Sequence, residues 1–143
     1  MVAVEKSIVI NAPADKIFTY WNDPRNLTDL WPSMLEVTNV KQLENGGTQF
    51  DFIFRMAGIK ARSTSIDTEV VPGKYVVNET TGGIKSTVRV DFVPDTEGTK
   101  VTAKSSYSVS IPILGRMIEA ATRRANEKEL HMCLNNLKMK VGN

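Results

Sequence analysis

The sequence predicts an α+β protein, an antiparallel sheet closed on one face by a long C-terminal helix. Three observations carry this prediction. From Met34 to Ile111 apolar and polar residues alternate with period two, interrupted at Asn45-Gly46-Gly47, Pro72-Gly73, Gly82-Gly83 and Pro94 to Gly98; such segments read as strands joined by hairpins. Pro112 to Val141 then runs without a further proline and is rich in Ala, Leu, Met, Glu, Lys and Arg, the residues that lose least on entering a helix. Hairpin-length connections make the neighbouring strands antiparallel, and a sheet with one wet face needs a cover for the other, which the helix supplies.

Val2 to Ile10 alternates loosely, with Val2, Val4, Ile8 and Ile10 apolar, and forms a first strand able to pair with the last ones. Asn11-Ala12-Pro13 starts a short helix through Asp15 to Trp21, since proline is favoured in the first helical turn, and Ile17, Phe18 and Trp21 give it an apolar side. Asn22-Asp23-Pro24 ends it and opens a second short helix that stops at Leu30, before Trp31-Pro32.

The strand from Met34 shows no clear inner face. In the next, Phe50, Phe52, Phe54 and Met56 fall on one face opposite Gln49, Asp51 and Arg55. Ile59 to Val71 is rich in Thr and Ser, and Thr64, Ile66, Thr68 and Val70 make its more apolar face. Lys74 to Thr80 follows. Ile84, Ser86, Val88, Val90 and Phe92 alternate against Lys85, Thr87, Arg89 and Asp91, and Val101, Ala103, Ser105, Tyr107, Val109 and Ile111 form the last inward row.

The chain has 143 residues and a formal net charge of +2, so it is read as one domain over residues 1–143, with no global field pointing to nucleic acid or an anionic membrane. No stretch reaches the roughly 18 apolar residues of a membrane span, and Glu5 and Lys6 occupy the place of a signal peptide's apolar run. One cysteine, Cys133, excludes an intrachain disulfide and fits a reducing compartment. The expectation is a soluble cytoplasmic protein without stable membrane insertion.

Several chemistries lack their residues. The only histidine, His131, sits late in the helix with no G-x-S-x-G elbow in the chain to supply a nucleophile. One Cys and one His do not make a zinc site, and the carboxylates show no clustered spacing, so neither metal nor cofactor is expected. The Gly pairs lie in hairpins without the strand-to-helix context of a phosphate loop. Cys133, between Met132 and Leu134, reads as a packed thiol, and Arg116, Arg123, Arg124 and Lys128, interspersed with Glu119, Glu127 and Glu129, as a solvated face.

In the helix, Leu130, Leu134, Leu137 and Val141 cluster on one side, whereas Leu114, Met117, Ile118, Ala121 and Ala125 lie nearly opposite. A face touching both sets runs through Ile118, Thr122, Ala125, Asn126, Glu129, Cys133 and Leu137. Its N-terminal half presents small or polar groups, which opposite large aromatics leave volume unfilled.

Asn11-Ala12-Pro13-Ala14-Asp15-Lys16-Ile17-Phe18, then Asn22-Asp23-Pro24 and Trp31-Pro32, resembles the opening of the START-like (SRPBCC) superfamily, in particular its polyketide cyclase/dehydrase and coenzyme Q-binding-like branch. Pro72-Gly73, Phe92-Val93-Pro94, Gly98-Thr99-Lys100-Val101-Thr102, Tyr107 before the long helix and Leu134-Asn135-Asn136-Leu137-Lys138 near its end continue the resemblance over essentially the whole chain. It implies a helix-grip fold: a curved seven-stranded antiparallel sheet around the long helix, two short helices between strands 1 and 2, and an apolar cavity between sheet and helix. Members bind lipids, sterols, quinones, polyketides or plant hormones, and a few catalyse cyclisation or dehydration.

The leading expectation is a binding protein for a hydrophobic small molecule. Its walls are Phe52, Phe54, Met56, Val88, Val90, Tyr107, Ile118 and Ala125, with Trp31 and Met34 near the entrance, and Tyr107, Thr122, Asn126 or Glu129 give polar orientation. The rival is a cyclase/dehydratase in which Glu129, its carboxyl raised by burial, or Tyr107 acts as acid or base. A third reading makes the domain a protein-interaction module.

Overall fold

In the computed structural model the described residues are 2–56, 58–109 and 116–142, with side chains described for these except at positions 2, 56, 59, 109 and 116–122. The order is β1 (Val2–Ile10), α1 (Ala14–Trp21), a 3-10 turn (Pro24–Asn26), α2 (Leu27–Leu30), β2 (Met34–Gln42), β3 (Thr48–Met56), β4 (Ile59–Val71), β5 (Tyr75–Gly82), β6 (Ile84–Asp95), β7 (Gly98–Val109) and α3 (Arg116–Val141). The strands form one seven-stranded antiparallel sheet in the order β1-β7-β6-β5-β4-β3-β2. With the two short helices after β1 and the long helix at the end, this is the helix-grip fold that the sequence resemblance implies.

The local chemistry behaves as expected at the first turn. Pro13 caps α1 with an extended backbone, Ile17 and Phe18 turn into the core, and the Asp23 side chain accepts the Arg25 N–H at 3.1 Å to start the 3-10 turn at Pro24. The second short helix is therefore split into a 3-10 turn and one α-turn. The first strand does pair with the last, Val2 opposite Tyr107 through Ile10 opposite Thr99. Gly98 permits this meeting: its φ is +131°, and a Cβ there would run into the Ile10 carbonyl oxygen and lie 2.9 Å from the Asn11 Cα. Thr99 Oγ1 then donates to the Ala12 carbonyl at 2.8 Å inside the core.

The C-terminal half of α3 anchors the helix. Leu130, Cys133, Leu134, Leu137 and Val141 are all buried, and α3 packs chiefly on β1, with α1 and α2 alongside. Burying each leucine contributes roughly 1.5–3 kcal/mol before conformational entropy is counted. Residues 110–115 and the side chains of Met117, Ile118, Ala121 and Thr122 lie outside the described residues, so the helix is described from Arg116 rather than Pro112.

β4 departs from the expectation. The face turned inward is not Thr64, Ile66 and Thr68 but Ser63, Ser65 and Asp67, all buried. A register shift between Asp67 and Glu69 then changes the phase of the strand, so Val70 also packs on the core. β2 is an edge strand with shifts between Met34 and Glu36 and between Thr38 and Lys41, which explains why its pattern shows no clean inner face. No described helix is long and apolar enough to cross a membrane.

Candidate functional site

A cavity of about 140 Å³ lies between the inner face of the sheet, the α1–α2 connection and α3. Its apolar wall follows from alternation: Phe50 and Phe52 from β3, Val76 from β5, and Ile84, Val88 and Val90 from β6. Leu27, Trp31 and Met34 close it from the connector. The indole of Trp31 meets that of Trp21 edge to face, centroids 6.1 Å apart, while the Phe50 and Phe52 rings lie tilted at 5.9 Å, within the range in which aromatic pairs attract beyond their buried area.

The opposite character comes from small polar residues on the same inner face. Thr48, Ser65, Asp67, Asn78, Thr80, Ser86 and Ser105 also line the cavity. Asp67 organises them. Its Oδ2 accepts the Thr48 N–H at 2.8 Å and the Thr48 hydroxyl at 3.3 Å, and its Oδ1 accepts the Asn78 side-chain amide at 3.0 Å. The same amide donates to Ser65 Oγ at 2.6 Å. Gly47 makes room for this group, because a Cβ there would stand 2.5 Å from the Asp67 Cβ.

On the helix side, Asn126 and Glu129 reach the cavity. Glu129 Oε1 accepts the Ser33 N–H at 2.7 Å, and Asn136 Nδ2 donates to the Leu30 carbonyl at 3.0 Å. The connector that carries Trp31 is thereby tied to α3 at both ends. Glu129 thus points inward, with one oxygen committed to the backbone of that connector.

Three buried polar atoms at the cavity have no hydrogen-bond partner among the described residues: the Tyr107 hydroxyl, Asn126 Nδ2 and Asn22 Oδ1. Buried polar groups are nearly always paired, so each is a candidate for a hydrogen bond with a bound molecule. The Asn22 orientation is fixed by its Nδ2, which donates to the Gly46 carbonyl at 3.1 Å. Tyr107 is 4% exposed. Burial pushes its phenol up to about 12, with Arg123 pulling it down and Glu127 up, so at neutral pH it is an uncharged hydroxyl.

Of the residues singled out from the sequence, the structure brings Trp31, Met34, Phe52, Val88, Val90, Tyr107, Asn126 and Glu129 to one cavity. Phe54 is buried against Phe52, ring centroids 5.9 Å apart, but does not reach the cavity wall. Ala125 is exposed. On a helix of 3.6 residues per turn it lies roughly 140° from Leu130, the middle of the buried stripe, so the face interpolated between the two apolar clusters runs too far round. The side chains of Met56, Ile118 and Thr122 lie outside the described residues. Sequence reasoning missed the polar row of β4 and β5; its signal is Ser63, Ser65 and Asp67 at period two. His131 is exposed, 3.0 Å from the Asn135 amide, and no group of three or more His, Cys, Asp or Glu able to hold a metal occurs among the described residues.

The family model described as polyketide cyclase/dehydrase and lipid transport matches residues 1–142. No curated protein sequence matches the chain. Among solved structures, a START superfamily protein from Mycobacterium smegmatis is similar with a TM-score of 0.80 at 15% identity, covering 97% of this chain and 96% of that one. The Zhui aromatase/cyclase from Streptomyces sp. R1128 gives 0.79 at 16% identity, covering 97% and 92%. TTHA0849 from Thermus thermophilus gives 0.74 at 21% identity, covering 96% and 95%. At these identities the similarity speaks for the fold.

Proposed function

The chain belongs to the polyketide cyclase/dehydrase and lipid transport family, and from that premise we propose that it binds a hydrophobic small molecule, of lipid, quinone or polyketide-like type, between the sheet and α3. The observation that carries the reading is the cavity itself: aromatic and aliphatic side chains surround a space in which Tyr107, Asn126 and Asn22 hold polar atoms without partners. An apolar enclosure with a few convergent polar groups is what positions a small ligand. The walls come from rigid strands, and the Glu129 and Asn136 contacts hold the connector over them.

The cyclase/dehydratase reading is supported by the similarity in fold to an aromatase/cyclase. It requires an acid or base at the ligand. Tyr107, with its phenol pushed up to about 12, is a poor base at neutral pH and suits hydrogen bonding better than proton transfer, and Glu129, the other candidate, has one oxygen occupied by the Ser33 N–H. We therefore rank binding first.

Native mass spectrometry of freshly purified protein tests this directly. The expected result is a co-purified small molecule or saturable uptake of an apolar probe at one per chain. Absence of both, with side chains filling the space in a crystal structure, would remove the reading and favour a protein-interaction role.

A further inference from the structure

The wall of the cavity carries a consistent sign. Asp67 and Glu129 contribute carboxylates, and no lysine, arginine or histidine stands on the wall among the described residues. The atoms nearest α3 and β7 without a partner among the described residues are the Tyr107 hydroxyl, which can donate or accept, and the Asn126 amide nitrogen, a donor. At this end the cavity thus offers donors and, on its described wall, no cationic side chain, while Asn22 Oδ1 adds an acceptor on the connector side.

Resting on the reading above, we infer that the cavity selects an uncharged hydrophobic molecule with a hydrogen-bond-accepting oxygen, such as a ketone, held by Tyr107 and Asn126, and rejects carboxylates through Asp67 and Glu129. The physical argument has two parts. A buried donor left unpaired costs free energy, and an acceptor on the ligand removes that cost, whereas a hydrocarbon of the same shape leaves it in place. An anionic head would be desolvated in a cavity that already holds two carboxyl side chains and, on its described wall, no lysine, arginine or histidine; Arg123, whose charge reaches the Tyr107 phenol, is exposed to solvent and compensates only in part. Asp67 is not free to turn away, since the Thr48 N–H and the Asn78 amide hold both its oxygens.

Size sets the probes. A space of about 140 Å³ corresponds to one benzene-sized ring, since an apolar cavity of about 150 Å³ takes benzene. Acetophenone, isopropylbenzene and benzoate share that ring and differ in the branch: a ketone, its hydrocarbon counterpart, and an anion. Dissociation constants are measured at pH 7 by chemical-shift titration of the ¹⁵N-labelled full chain.

Acetophenone is expected to bind about five- to tenfold more tightly than isopropylbenzene, the scale of one net hydrogen bond, and benzoate at least tenfold more weakly than either. In Tyr107→Phe, acetophenone should fall towards isopropylbenzene while isopropylbenzene itself holds or improves. Equal binding of ketone and hydrocarbon, or binding of benzoate as tight as that of acetophenone, overturns the selectivity and leaves the binding function standing. Failure of all three probes to bind overturns both. The comparison among probes on the unmodified protein decides the matter even if the variant does not fold.

Discussion

Ser33 and Glu129 are joined by a 2.7 Å hydrogen bond, the Ser33 N–H donating to Oε1, although 96 residues separate them in sequence. The bond fastens the head of β2 to the middle of α3. A charged acceptor on a backbone donor is stronger than a neutral pair, and it leaves a backbone N–H stranded when removed.

Glu129→Ala is therefore expected to lower stability by about 1–2 kcal/mol, the lower part of the range for charged hydrogen bonds because the side chain is half-exposed. Glu129→Gln, which keeps an acceptor oxygen, should lose less than half of that. Urea unfolding midpoints check the order, with the slope unchanged; equal losses for the two variants would show that the contact contributes little.

Filling the cavity separates wall residues from their neighbours. Val88→Phe adds a ring to a half-buried wall residue and is expected to reduce apolar-probe uptake at least tenfold. Ala125→Trp, at an exposed site, should leave uptake within twofold of the parent protein. Probe titration by fluorescence compares them, and a block by Ala125→Trp would place the binding surface elsewhere.

The Tyr107 phenol makes stability depend on alkaline pH with a definite sign. Folded, it ionises near 12 because of burial; unfolded, near 10. Between these values the unfolded chain has released a proton that the folded protein retains, so stability present below pH 10 is lost as pH rises towards 12. Unfolding midpoints from pH 9 to 11.5 should fall more steeply for the parent than for Tyr107→Phe. Parallel curves would mean that the hydroxyl is not buried as described.

Cys133 is fully buried, and burial, with Glu129 adding to it, raises its thiol well above the usual value. A thiolate is the reactive form, so Ellman's reagent should modify the native protein only at the slow rate of opening and react promptly in denaturant. Rapid reaction without denaturant would contradict the packing of α3 on β1.

The strands of this fold are visible in the sequence because alternation and turn chemistry are local. Phe50 and Phe52, or Val101 and Ala103, declare their side without knowledge of the rest of the chain. β4 misleads for a physical reason. The rule that the apolar face points inward assumes a filled interior, and Ser65 and Asp67 face a cavity and a hydrogen-bond network instead, while Ser63 accepts the Ile84 N–H. The helix misleads differently. Its leucines fix the anchored half, but the expectation for Ala125 rests on a second apolar cluster whose other side chains lie outside the described residues, and one residue of rotation separates it from Asn126, which does line the cavity. The unpaired Tyr107 hydroxyl needs tertiary structure to be seen at all.

The paired ties from α3 to Leu30 and Ser33 bracket Trp31 and Pro32. Because they lie about two helical turns apart, the connector and this part of the helix are held together as one plate. A guest bulkier than the cavity that enters on this side is expected to lift the plate from the sheet rather than turn a single indole, straining the leucine contacts behind it. Discrimination by size then depends on the bending stiffness of that plate, and substitutions remote from the guest, at Asn136 for example, become determinants of what the protein admits.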